Sequence, residues 1–116
     1  MKDGKIPYDV LLENTDPKLV KFEMDLYWIK KAGYEPVDYF KKYPGRFALW
    51  HVKDQDPQSG KYTEVGKGDI DFKEIFNHAS DSGMKYFFVE LDNSEKPALD
   101  SIKISFDYLN KAAFVR

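Results

Sequence analysis

Cysteine is missing from this sequence altogether, which excludes disulfides, thiolate nucleophiles and zinc–cysteine centres. The compartment stays open on that count, because a chain without thiols is indifferent to redox conditions. Histidine is nearly as scarce, with His51 and His78 the only two. No stretch approaches the ~18 apolar residues of a membrane span. The opening MKDGKIPYDVLL lacks the apolar core of roughly 7–15 residues that marks a signal peptide, so a cytoplasmic location is expected. Neither charge is in excess: 18 Lys and Arg against 20 Asp and Glu leave a formal −2. Nucleic acid and anionic membranes therefore find no electrostatic grip, and neither is expected as a partner.

Aromatic side chains are what the sequence has in quantity. Nine Phe, eight Tyr and two Trp among 116 residues bury roughly 150–250 Å² apiece, enough for the core of one domain, residues 1–116. No low-complexity segment or linker divides it. A pattern recurs three times instead: an extended run ends in an acidic residue or histidine, a turn follows, and an amphipathic helix comes next. The first run is VKFEMDLYW, 20–28, in which Val20, Phe22 and Met24 alternate with Lys21, Glu23 and Asp25, the period of a strand. Pro36 then suits the first turn of a helix through Tyr43, which Pro44 and Gly45 end. The second run, RFALWHVKD, 46–54, is nearly continuous in apolar residues, as strands covered on both faces are. Beyond a polar loop, Phe72, Ile75, Phe76 and Ala79 take helical spacing, with Asp71 and Glu74 as a capping pair and Gly83 as the stop. The third run is MKYFFVELD, 84–92, followed by a helix with Leu99, Ile102, Phe106 and Leu109 on one face. PYDVLLENT reads as a helix ahead of all three units.

Strands alternating with helices predict an α/β fold with a parallel sheet and right-handed crossovers. In such sheets ligands gather at the carboxyl ends of the strands, a rule that selects Asp25, His51 and Glu90. Parity agrees. Glu23 and Asp25 share a face, as do Leu49, His51 and Lys53, and Tyr86, Phe88 and Glu90. Phe22, Met24, Trp50, Val52, Phe87 and Val89 fall on the other face, where helices are expected to cover them. Asp, His and Glu from neighbouring strand ends suit Mn²⁺, Mg²⁺, Co²⁺ or Zn²⁺. The alternative is that strand ends are polar because they are wet, and no local motif decides between the two.

The blocks KFEMDLYWIKKAG, RFALWHVKD, EVGKGDIDFKEIF and YFFVELDN, in that order and spanning about Gly4 to Leu109, resemble the last three βα units of the sugar phosphate isomerase/epimerase family. The resemblance implies the C-terminal part of a (β/α)8 TIM barrel of the xylose-isomerase type: three parallel strand–helix units preceded by one helix. A whole barrel has eight strands and typically about 250 residues. In that family two glutamates, an aspartate and a histidine at strand ends hold a metal ion. The resemblance assigns Asp25 in EMDLYW, His51 in HVKD and Glu90 in FVELDN to three of these positions, while the other glutamate belongs to the family's N-terminal half. Trp28 stands where many relatives carry a substrate-contacting histidine, and here it either stacks on a sugar face or packs. Leu91 fills a position often polar in relatives.

What the resemblance implies chemically is isomerisation or epimerisation of a sugar or sugar phosphate by proton transfer next to a carbonyl. Glu90 would serve as general base or acid, Asp25 and His51 would hold the divalent ion, and Lys53 and Trp28 would contact substrate. A keto-sugar lyase or hydrolase of the same family is an alternative, as is a non-catalytic fragment that folds and self-assembles. An apurinic-site endonuclease, which shares the fold, uses more histidines and a basic surface than this chain has. Gly66 and Gly68 in EVGKGD could let backbone amides approach a ligand, and His78 is expected at the surface. Three parallel strands leave two edges open, and the barrel-facing side would expose Phe47, Leu49, Tyr86 and Phe88. A homo-oligomer is therefore expected.

Overall fold

The structure, a computed structural model, describes residues 4–115, so the outermost residues of the expected 1–116 unit lie outside it. Helix α1 (Pro7–Glu13) begins on a proline, whose missing N–H costs nothing at a helix start. Strand β1 (Phe22–Asp25) runs straight into α2 (Leu26–Lys31), because the Asp25 carboxylate accepts from the Trp28 N–H at 3.0 Å and caps the helix. The first extended run is therefore shorter than the alternation suggested, and Leu26–Trp28 are helical. Helix α3 (Pro36–Lys42) leads to β2 (Phe47–Val52). The polar loop contains a short antiparallel pair, β3 (Asp54–Gln55) with β4 (Tyr62–Thr63). The next expected helix is two: α4 (Phe72–Asn77), capped by Asp71 through the Glu74 N–H, and α5 (Ala79–Ser82), which Gly83 closes in the left-handed region at φ +79°. Strand β5 (Tyr86–Val89) and α6 (Ala98–Lys111) complete the order.

The main sheet is parallel, in the order β1-β2-β5. Asp25 pairs with His51, and His51 with Phe88, so that Glu90, two residues beyond Phe88, lies on the same face. The register slips once. Phe22 pairs with Phe47 but Glu23 pairs with Leu49, leaving Ala48 as an extra residue on β2. This bulge corrects the expectation that Phe47 is exposed on the barrel-facing side. An extra residue inverts parity, so Phe47 joins Trp50 on the helix-covered face, fully buried against Tyr8, Phe22, Tyr39 and Phe40. Leu49 is partly buried, whereas Tyr86 and Phe88 are exposed as expected.

Between sheet and helices lies an aromatic core in which Trp50 stacks on Phe40 (5.0 Å between rings, 2° between planes) and receives the edge of Phe76. Helix α6 departs from its amphipathic reading. Leu99, Ile102 and Phe106 are exposed, Leu99 by 78 %, and only Leu109 of that stripe is buried. The inward face is Ser101, Ser105 and Leu109, which repeat every fourth residue. Val89 is exposed with them, and Phe87 is only partly covered, resting on Phe76. No helix among the described residues is long and apolar enough to cross a membrane.

Candidate metal and substrate site

Asp25, His51 and Glu90 come together at the carboxyl ends of β1, β2 and β5. Asp25 Oδ2 is 3.8 Å and Glu90 Oε2 3.1 Å from His51 Nδ1. One ligand atom from each residue lies within 4.8 Å of the others. A cation with donors at about 2.0–2.3 Å spreads them roughly 3–4.5 Å apart, so the set fits such an ion with small side-chain adjustments. The ring's other nitrogen, Nε2, lies 3.1 Å from Glu23 Oε1. A proton held on Nε2 by that carboxylate leaves Nδ1 as a lone pair facing Asp25 and Glu90, the arrangement of metal-binding histidines.

Lys53 stands inside this cluster. Its side chain is 1 % exposed, and its Nζ lies 3.2 Å from Asp25 Oδ2, 2.9 Å from Glu90 Oε2 and 2.9 Å from Asp92 Oδ2. Burial alone would push its proton affinity down, but the hydrogen bonds to Glu90 and Asp92 and the charge of Asp25 outweigh that and hold it above the ordinary lysine value. The ammonium is not a solvated strand end. Trp28, 52 % exposed, and Tyr62 border it, with ring centres 6.0 and 5.8 Å from Nζ. Strand parity located Lys53 together with Asp25 and Glu90, but not its third partner, Asp92. Asp92 lies beyond the end of β5, where alternation no longer says which way a side chain points, and Glu23 carried no signal beyond sharing Asp25's face.

The glycines of EVGKGD hold a side chain and not a ligand. The buried Asp54 carboxylate accepts from the N–H groups of Gln55, Gly66, Gly68 and Ile70 at 2.8–3.2 Å. A Cβ at Gly68 would run into the Asp54 carboxylate and the Gln55 carbonyl, and one at Gly66 into the Tyr108 ring. The knot follows β2 directly and fixes the loop above the site. A second buried carboxylate, Glu64, ties α6 to that loop: Ser101 Oγ donates to it at 2.8 Å and Lys96 Nζ at 3.1 Å. A polar groove of about 490 Å³ opens between the β3–β4 hairpin and the loop after β5, lined by Tyr62, Thr63, Glu64, Asn93 and Lys96 among others. His78 lies elsewhere, at the α4–α5 junction between Glu74 and Asp81.

No family model matches the chain. Curated relatives do. Inosose dehydratase 2 of Bacillus cereus is 31 % identical over 119 aligned positions, covering 88 % of this chain and 39 % of the relative. Inosose dehydratase of Clostridium tetani is 34 % identical over 86, covering 60 % and 29 %. Among solved structures, a sugar phosphate isomerase/epimerase from Parabacteroides distasonis superposes over the whole chain with a TM-score of 0.84 at 36 % identity, 40 % of its own length being covered. A second from the same organism gives 0.85 at 32 % identity, with 39 % covered. The chain spans about two fifths of the length of the Bacillus relative and of the two solved structures, and 29 % of the Clostridium relative. Its three parallel βα units are part of a TIM barrel of the xylose-isomerase type, and over its whole length the chain resembles the sugar phosphate isomerases/epimerases of that fold.

Proposed function

We propose that the chain is part of a metal-dependent enzyme that moves a proton next to the carbonyl of a sugar, sugar phosphate or keto-polyol. The observation that carries this is His51 Nδ1, a nitrogen aimed at two carboxylates with its other nitrogen turned to Glu23. The two carboxylates already share the Lys53 ammonium, and a divalent ion on Nδ1 would add a second centre of positive charge among them. Asp25, His51 and Glu90 would hold the ion, Mn²⁺, Mg²⁺, Co²⁺ or Zn²⁺ by donor type. A bound divalent cation supplies Lewis-acid polarisation of a substrate carbonyl. Glu90, on the open face of the sheet, would take or return the proton on the adjoining carbon. Trp28 offers its ring to a sugar face and Lys53 its ammonium to a substrate oxygen. Removing that proton is the first step of isomerisation and epimerisation, and equally of a dehydration, the activity in the names of the Bacillus and Clostridium relatives. The test is exchange of the proton next to the carbonyl of a keto-polyol in deuterated water, followed by NMR with Mn²⁺ and the full chain. Exchange abolished by Glu90→Gln supports the reading, and exchange indifferent to that change removes it.

A second reading rests on the exposed Tyr86, Phe88 and Val89 of β5 and Leu99, Ile102 and Phe106 of α6. An open strand edge and an exposed apolar helix stripe each recruit partners. Residues 1–116 would then be one unit that self-associates, catalytically silent unless a neighbouring chain completes the site. Light scattering tests it: assemblies that Phe106→Glu disperses are expected, and a monomer at all concentrations contradicts it.

A further inference from the structure

We infer that the Lys53 ammonium is the resident cation of the acidic cluster, and that it sets the affinity for a divalent ion by occupying the oxygens that the ion must take. The inference rests on the metal reading above. Four carboxylates, Glu23, Asp25, Glu90 and Asp92, surround His51 and Lys53. Asp25 has one oxygen to offer, because its Oδ1 is engaged by the Trp28 N–H that starts α2. The remaining Oδ2 is the atom that contacts Lys53 at 3.2 Å and faces His51 at 3.8 Å. Glu90 Oε2 is shared in the same way, 2.9 Å from Lys53 and 3.1 Å from His51. An ion on His51 Nδ1 therefore meets an ammonium already seated on both of its carboxylate donors. Asp92 lies outside the triad and gives the ammonium a place to withdraw to, at 2.9 Å. Loading would thus shift Lys53 toward Asp92 and free its N–H groups for a substrate oxygen. Without a divalent ion the same charge offsets the repulsion among the clustered carboxylates, which is what permits them to fold into one place.

Mn²⁺ is titrated by calorimetry into the unaltered full chain, Lys53→Met and Lys96→Met. The last removes an equal charge from Glu64 instead of from the cluster. Lys53→Met is expected to bind Mn²⁺ at least tenfold more tightly while Lys96→Met stays within a factor of two. Its metal-free form should melt earlier and recover on adding Mn²⁺. Should Lys53→Met fail to fold, Lys53→Gln keeps a side chain that can hydrogen-bond without the charge, and Asp92→Asn is expected to weaken Mn²⁺ at least threefold by leaving the ammonium to Asp25 and Glu90. Equal or weaker binding by the Lys53 variants overturns the inference and leaves the metal reading standing. Binding by the Lys53 variants alone supports the inference and removes the metal reading for the native chain. Binding by none overturns both.

Discussion

Replacing Glu64 by Gln tests whether the loop and helix above the site are held by charge. Glu64 is 6 % exposed. Burial alone would raise its proton affinity, but hydrogen bonds from its own N–H, Ser101, Lys96 and Thr63 outweigh that, bringing the carboxyl from 4.5 down to about 2. At about 1.4 kcal/mol per tenfold change in proton affinity, this is about 3 kcal/mol in favour of the folded chain near pH 7. The folded value is depressed, so this stability is present above pH 4.5 and is lost as pH falls toward 2, where the unfolded chain takes up the proton first. More than half is gone by about pH 3. Glu64→Gln imitates the protonated form, and it should unfold about 3 kcal/mol more easily than the parent at pH 7 and converge on it in acid. Urea denaturation read by tryptophan fluorescence between about pH 7 and pH 3 measures both curves. Two curves that stay parallel across that range would refute the reasoning, since the Glu64 charge would then contribute nothing.

Three further outcomes are expected. Gly68→Ala puts a methyl against the Asp54 carboxylate and the Gln55 carbonyl, and should cost at least about 2 kcal/mol in urea denaturation; a neutral result would mean the Asp54 knot is loose. Phe47→Ala opens a hole beneath Phe40 and Tyr39 and should cost about 3–5 kcal/mol, whereas a cost below about 1 kcal/mol would return Phe47 to the open face and remove the bulge. Asp25→Asn keeps an oxygen for the Trp28 N–H and should leave stability nearly unchanged while weakening Mn²⁺ in calorimetry. Asp25→Ala loses the cap as well, about 1 kcal/mol.

The triad was legible because two rules converged on it: alternation assigns faces, and parallel sheets bind ligands at their carboxyl ends. Resemblance then named the same residues. What alternation could not carry is instructive. It fails at Phe47 because one unmatched residue, Ala48, inverts every side chain before it. It missed α2 because Asp25 is both the last residue of a strand and the cap of a helix, and the runs on either side of such a residue look continuous. The β3–β4 pair, two residues a side, is too short to show any period. For α6 the apolar stripe was real, but periodicity says where a stripe lies and not what covers it; Ser101 and Ser105 face inward because Glu64 and the Val65 N–H bond to them. Asp25 and Glu90 were legible as neighbours of Lys53, but its third partner was not: a strand position fixes a direction, and Asp92 reaches the ammonium from beyond the strand.

The central claim is that Asp25, His51 and Glu90 form a working cation site, and calorimetric titration of Mn²⁺ into the full chain beside His51→Ala tests it most directly. Saturable binding at about one ion per chain, weakened at least a hundredfold in His51→Ala, is the predicted result. No binding, or binding of equal strength in the two proteins, would contradict the claim and leave the three residues as polar strand ends.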